Sequence, residues 1–264
     1  MPFLFWIIII ILFKIQFLGY GTSFHDLYDI VFMDGFVWFV WTLIGLYLFV
    51  PVIRAFIRQY DTKGVEYFLI IWLFTIILGT FGLYPLETVE LRYFAGYIGY
   101  MLLGWYLSNK DFGNLNNRIL MLIGMIIFAL STGLAVFCLA NSIDFPKYYL
   151  SIVPVLQVTG LYLFIKSFAV YGEKSNALTG RIYSFIKNSV LGKIIFSISI
   201  CSFGIYLTHY FPIWVFKIYN PVFHFFSRNP VKWIPFIFLV SLLFSWGLIW
   251  AMSKVPFLKK FSGT

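Results

Sequence analysis

Eight apolar runs, each about long enough to cross a bilayer, constrain this chain more than any other feature. They lie at about 2–20, 31–53, 65–84, 89–108, 118–140, 148–170, 193–217 and 231–253. A transmembrane helix needs about 20 apolar residues, whereas a membrane β-strand needs about 10 residues that alternate in polarity. These runs have the length of helices and do not alternate. We therefore expect an all-α polytopic bundle of about eight transmembrane spans, formed as a single membrane domain by residues 1–264.

The composition agrees with a membrane protein and argues against other partners. Hydrophobic residues make up 61% of the chain and charged residues 11%, against roughly 45–50% and 25% in soluble domains. The formal net charge of +9 does not indicate nucleic acid, because Lys and Arg are spread between the runs and form no basic face. Cys138 and Cys201 lie in apolar runs without metal-ligand spacing, so we expect no metal and no tightly bound cofactor.

The basic residues predict how the chain crosses the membrane. If Met1 is cytoplasmic, the loops on that side hold most of the 19 Lys and Arg residues, and the outer loops hold few. Loops rich in Lys and Arg stay in the cytoplasm. We therefore expect a multi-pass protein of the plasma (inner) membrane with both termini in the cytoplasm. The longest polar loop, residues 171–193, would then be cytoplasmic.

The stretch SFGIYLTHYFPIW, residues 202–214, brings polar groups into an apolar run. Ser199, Ser202, Tyr206 and His209 are spaced by three, four and three residues, so they share one face of a helix. His209 would lie about 24 Å along that helix from Lys193, in the outer half of the membrane. A polar face at this depth points into the bundle or a wet cavity. His209 is therefore either a functional group or a structural histidine with satisfied hydrogen bonds.

Two other runs carry polar or aromatic stripes at their outer ends. The stripes consist of Asp34, Trp38 and Trp41 in one run and of Glu90, Tyr93, Tyr97 and Tyr100 in another. Three such faces at similar depth predict a cavity that opens outward. The alternative is that the rings anchor the chain at the membrane interface and the carboxylates are solvated. The chain contains no G-x-S-x-G, P-loop, H-E-x-x-H or G-x-G-x-x-G motif.

Four segments, collinear over nearly the whole chain, carry a family resemblance. They are FVWFVWTLIGLYLFVPVIR (36–54), YFAGYIGYMLLGWYLSN (93–109), ISICSFGIYLTHYFP (198–212) and SKVPFLKKFSG (253–263). Together they resemble the acyltransferase 3 family of multi-span membrane enzymes, which O-acylate surface polysaccharides and related acceptors. The resemblance implies transfer of an acyl group, with acetyl expected, from acyl-CoA as co-substrate to a hydroxyl of a cell-surface polysaccharide or a lipid-linked sugar.

The resemblance also suggests roles for the residues singled out above. His209 would accept a hydroxyl proton, because a neutral imidazole has an ordinary pKa of about 6.5. Tyr206 and Ser202 would orient the ring or donate to an oxyanion. The acceptor would lie against the outward cavity, at Asp34, Trp38, Glu90, Tyr93 and Tyr97. Acyl-CoA would meet Lys174, Arg181 and Lys187 of the loop 171–193, unless these residues are only the ordinary positive charge of a cytoplasmic loop.

Departures from the family pattern leave two further functions open. Family members have about ten spans, and MPFLFW at the start resembles the beginning of their third span, so we expect the chain to lack two spans and a first-helix histidine. Phe36 also stands where the family often has histidine. A catalytically inactive remnant or a partner-dependent subunit is one alternative. A glycolipid transporter or flippase, which the outward cavity would serve equally well, is the other.

Overall fold

The architecture of the chain is entirely helical wherever it is described. The structure, a computed structural model, describes residues 2–33, 38–82, 96–112, 115–141, 150–175, 178–218 and 230–264. Every regular element in these ranges is a helix, and none of them contains a strand. This confirms the all-α class predicted from the apolar runs.

The helices follow the predicted runs closely. In chain order they are α1 (Pro2–Leu18), α2 (Phe24–Tyr28), a π-helical turn (Asp29–Met33), α3 (Trp38–Thr80), α4 (Ile98–Asn109), α5 (Asn117–Ala140), α6 (Ile152–Lys174), α7 (Leu178–Asn188), α8 (Val190–Ile200), α9 (Ser202–Thr208), α10 (Tyr210–Ile218), α11 (Pro230–Lys254) and α12 (Pro256–Ser262).

Four of the described helices, α3, α5, α6 and α11, are long and apolar enough to cross a membrane. A fifth span results if α8 and the helices after it, which meet at a bend of 65°, count as one. The polytopic membrane bundle is therefore confirmed. The number of eight spans stays a prediction, since several runs extend into residues outside the described ranges.

Helix α3 differs from the sequence prediction in one respect. Two spans, 31–53 and 65–84, were expected with a cytoplasmic connection between them, but the backbone stays helical through Arg54, Arg58 and Lys63. The break is confined to Asp61, whose φ of 50° and ψ of −150° lie outside the helical region. Charged residues such as Arg and Lys are good helix formers, so a polar connection of this length need not unwind.

The described chain forms two compact units. The first unit comprises residues 1–41 and 187–264. Its buried core joins the first helix to the last ones and contains Trp6, Ile10, Leu207, Phe211, Trp214 and Ile249 among others. The indole Nε1 of Trp6 donates a hydrogen bond of 3.0 Å to the carbonyl oxygen of Phe261. This bond connects α1 to α12, which are 255 residues apart in the chain.

The second unit comprises residues 42–186 and has its own core around Trp72. The indole Nε1 of Trp72 donates to the carbonyl oxygen of Gly96 at 3.1 Å. Helices α5 and α6 form the closest helix pair of this unit, and they meet where Gly124 faces Gly160. A Cβ on Gly160 would come within 2.7 Å of the Gly124 carbonyl oxygen. Small residues permit this approach between membrane helices, as in other transmembrane pairs.

Candidate functional site

The polar face predicted for the run 193–217 is divided by a bend. The chain turns by 65° between α8 and α9, with Cys201 at the break. Ser199 therefore lies on α8, whereas Ser202 and Tyr206 lie on α9 and His209 ends that helix. The run 193–217 is therefore not one continuous helix, and its 65° bend lies at Cys201. A second break falls at His209, one turn before Pro212, because a proline ring clashes with the carbonyl four residues earlier.

The three predicted catalytic residues line one cavity of the first unit. Its volume is about 490 Å³, and its walls are α9, α10 and α11. The lining consists of Ser202, Tyr206, His209 and Ser241 as polar residues, with Ile205, Ile213, Ile234, Ile237, Phe238 and Leu242 as apolar ones. A largely apolar cavity with a few converging polar groups is the usual form of a small-molecule site.

The hydrogen bond of His209 fixes the form of its neutral ring. Nδ1 lies 2.6 Å from the carbonyl oxygen of Tyr206, one turn earlier on the helix. A carbonyl oxygen only accepts, so Nδ1 carries the hydrogen and donates. Nε2 is then the nitrogen with the lone pair, which is the form that a general base requires. The backbone of His209 is held by its own bond to the Ile205 carbonyl oxygen at 2.9 Å.

Aromatic packing holds Tyr206 beside His209. The two ring centroids are 5.7 Å apart, and the Tyr206 ring meets Phe39 edge-on at 5.3 Å. The ring of Tyr210 also packs against the imidazole, with its centroid at 4.4 Å. Rings packed at these distances restrict the rotamers of the imidazole. The structure thus brings Ser202, Tyr206 and His209 to one cavity, as their spacing predicted.

The predicted acceptor-binding residues are not brought together in the same way. Asp34, Glu90 and Tyr93 lie outside the described residues. Trp38 begins α3 in the first unit and packs on Phe39, the neighbour of Tyr206. Tyr97 belongs to the second unit, where it stacks on Tyr100 at 6.4 Å. A shared outward cavity for all five residues remains a prediction.

The predicted acyl-CoA residues are exposed basic side chains. Arg181 lies on α7 and Lys187 near its end. Lys174 lines a second cavity, of about 340 Å³, together with Lys110 and Lys166. Those two lysines were not singled out from the sequence, because a lysine at the end of a span is typical of cytoplasmic loops in general. Only the fold shows that three of them line one cavity of the second unit.

Local contacts hold two of these lysines in place. Lys166 Nζ donates to the carbonyl oxygens of Leu107 and Ser108, at 2.7 and 2.9 Å, where α4 ends. Lys110 Nζ donates to Glu66 Oε1 at 2.6 Å, and Tyr106 donates to the same oxygen at 3.0 Å. The bond to Glu66 raises the pKa of Lys110 above its ordinary value. Lys110 therefore keeps its positive charge at neutral pH.

Lys14 is a further polar residue that only the fold explains. It lies on α1 with 1% of its surface exposed, and its Nζ is 5.2 Å from the ring centroids of both Tyr20 and Trp214. An ammonium group over aromatic rings gains a favourable electrostatic interaction, which is stronger away from water. In the described ranges, His, Cys, Asp and Glu form no group of three or more that could hold a metal ion.

Comparisons with known proteins agree with the sequence resemblance. The model of the acyltransferase 3 family, described as an acyltransferase domain, matches residues 1–250 of the 264. Searches of curated proteins and of solved structures gave no significant match. The match covers every residue that lines the cavity of His209. The chain therefore belongs to the acyltransferase 3 family of membrane acyltransferases.

Proposed function

We propose that this protein transfers an acyl group, with acetyl the expected one, from acyl-CoA to a hydroxyl of a cell-surface polysaccharide or a lipid-linked sugar. The observation that carries the proposal is the bond from His209 Nδ1 to Tyr206, which makes Nε2 the basic nitrogen of a residue that lines the cavity. The family membership supports the acyl transfer. The hydroxyl acceptor and the envelope location follow from the resemblance described above.

The reaction needs one base and one oxyanion donor. Nε2 of His209 accepts the proton of the acceptor hydroxyl while its oxygen attacks the thioester carbonyl carbon. The carbonyl oxygen becomes negatively charged, and a hydroxyl of Tyr206 or Ser202 donates to it. The carbon–sulfur bond then breaks, and the CoA thiolate leaves with the proton that the imidazolium returns. The products are the acyl ester of the acceptor and free CoA.

Positively charged residues support the proposed binding of acyl-CoA, the acyl donor. Acyl-CoA carries phosphates, and Lys174, Arg181 and Lys187 supply positive charge in the stretch 171–193. Lys166 lines the same cavity as Lys174 and adds a further positive charge, whereas the charge of Lys110 in that cavity is balanced by Glu66. With both termini in the cytoplasm of an inner-membrane protein, these residues would face the compartment that contains acyl-CoA. Asp34, Trp38, Glu90, Tyr93 and Tyr97 remain the proposed acceptor contacts.

A matched pair of histidine variants tests this function. The full chain in lipid nanodiscs is given acetyl-CoA and n-octyl β-D-glucoside, CoA release is followed by thiol titration, and the acetylated glucoside is measured by mass spectrometry. We expect His209→Gln to lower the rate at least about a hundredfold, the usual contribution of a general base. His25→Gln is the control, because His25 lies exposed on α2 and pairs with Asp29 at 3.2 Å.

The outcomes separate the candidate functions. Full activity of His209→Gln, with the variant folded, would remove His209 from the mechanism. Absence of any acetylation by the wild-type chain would contradict the proposed function and favour the inactive or partner-dependent alternative. Movement of a fluorescent glycolipid between leaflets of proteoliposomes without acyl-CoA, and without an acylated product, would instead identify a transporter.

A further inference from the structure

Several hydroxyl groups in the described helices form a hydrogen bond within their own helix. Five donate to the carbonyl oxygen four residues earlier, at 2.7–2.9 Å: Thr75, Thr80, Ser131, Thr159 and Thr208. This local bond satisfies a hydroxyl group in a membrane helix, where no water is available as a partner. A buried serine without this bond needs another partner for its hydroxyl.

In the described part of the chain, three buried serines have an Oγ without a hydrogen-bond partner: Ser151, Ser241 and Ser245, the last two of which lie on α11. Ser241 and Ser245 are 5% and 0% exposed. They are one turn apart on the same helix. Leaving a buried hydroxyl without a partner costs free energy, so each group is a candidate for a ligand that is absent from the structure.

The cavity distinguishes between the two serines. Ser241 lines the cavity that contains Ser202, Tyr206 and His209, whereas Ser245 is not part of its lining. Helix α9, which carries Ser202 and Tyr206 and ends at His209, packs against α11, and so does α10. Ser241 therefore places a polar side chain on the α11 wall, beside the apolar Ile237, Phe238 and Leu242. Its Oγ is covered in this structure, so the side chain must rotate about χ1 to present the hydroxyl to the cavity.

We propose that Ser241 binds the acceptor, by a hydrogen bond between its Oγ and a hydroxyl of the acceptor beside the one that reacts at His209. This proposal rests on the proposed function. The bond would satisfy Ser241 and fix the acceptor from the α11 wall, while His209 takes the proton from the other wall. The apolar remainder of the lining suits an alcohol that carries a hydrocarbon chain, and n-octyl β-D-glucoside has this chemistry.

Three variants test the proposal by kinetics. Ser241→Ala should lower kcat/KM for n-octyl β-D-glucoside about three- to tenfold, mainly by raising KM, because one neutral hydrogen bond is lost. The KM for acetyl-CoA should not change. Ser241→Thr, which restores a hydroxyl, should recover most of the loss. Ser245→Ala is the matched control and should behave as the wild type. Kinetics of Ser241→Ala equal to those of Ser245→Ala would overturn the proposal.

A second measurement does not depend on turnover. Ser241→Cys and Ser245→Cys are made in a Cys138→Ala/Cys201→Ala background, and their reaction with a small methanethiosulfonate is followed by mass spectrometry with and without the glucoside. We expect the cysteine at 241 to react and the glucoside to protect it, and the cysteine at 245 to remain unmodified. Reaction without protection, or no reaction at 241, would contradict acceptor binding there. If the wild-type chain transfers no acyl group, the proposed function is wrong. Protection of the cysteine at 241 by the glucoside would still show whether this position binds the alcohol.

Discussion

Replacement of Gly204 by alanine tests whether the C-terminal helix positions the helix that carries the site. A Cβ on Gly204 would overlap the carbonyl oxygen of Ser262 and lie 2.8 Å from Ile249 Cδ1. The isoleucine can change rotamer, but the carbonyl belongs to the backbone of α12, so α9 and α12 must separate. Overpacking of this kind costs about 1–3 kcal/mol. Alanine also favours the helical conformation over glycine by about 0.5–1 kcal/mol, which offsets part of the overpacking cost.

The expected net loss is about 1–2 kcal/mol, close to a tenfold change in the folding equilibrium. It is measured by unfolding the full chain in mixed micelles with increasing SDS, and activity toward the glucoside is measured in parallel. Gly247→Ala is the control, because a Cβ there meets nothing within 4 Å on α11. Equal unfolding free energies for the two variants would show that the contact between α9 and α12 is not closely packed. A stable Gly204→Ala variant with normal KM would show that this contact does not position the site.

Two further predictions concern the second unit. Gly160→Ala should lower the free energy of unfolding by about 1–2 kcal/mol in the same SDS titration, because its Cβ would overlap backbone atoms of Gly124 and Phe128. Gly133→Ala is the control and should cause no such loss, because the space around Gly133 is open. Equal unfolding free energies for the two variants would contradict the close pairing of α5 and α6. The bond to Glu66 raises the pKa of Lys110 above its ordinary value of 10.5. The stabilisation of the fold by this ion pair is therefore complete below pH 10.5 and is lost as the pH rises through the raised pKa. The melting temperature of the wild type should therefore fall above pH 10.5 by more than that of Lys110→Gln. The same pH dependence of the melting temperature in both proteins would show that the bond between Lys110 and Glu66 does not stabilise the fold.

The helical spans could be predicted because the bilayer imposes one dominant requirement on each of them. A run of about 20 apolar residues has few alternatives in hydrocarbon, where every backbone group must bond within its own helix. The runs at 118–140 and 231–253 therefore match α5 and α11 to within a few residues. The spacing of Ser202, Tyr206 and His209 was informative for the same reason, since helical periodicity places them on one face.

The bend at Cys201 could not be predicted, because neither proline nor glycine stands there to indicate it. Cys201 is buried in the core of the first unit, and the local sequence does not show that a helix break lies there. Ser241 was missed for a related reason. A single serine in an apolar run is ordinary in a membrane helix, and it becomes notable only when the fold shows that α11 forms a wall of the cavity.

The C-terminal segment SKVPFLKKFSG has a structural explanation that its sequence alone does not provide. Gly263 ends α12 with a φ of 77°, a left-handed conformation that favours glycine, and a Cβ there would meet Phe203 at 3.0 Å. Ser262 lies against Gly204, and Phe261 accepts the hydrogen bond from Trp6. The end of the chain thus contacts α9 on one side and α1 on the other. Because α9 carries Tyr206 and ends at His209, we expect the segment to affect the site by holding that helix in place, since none of its residues lines the cavity.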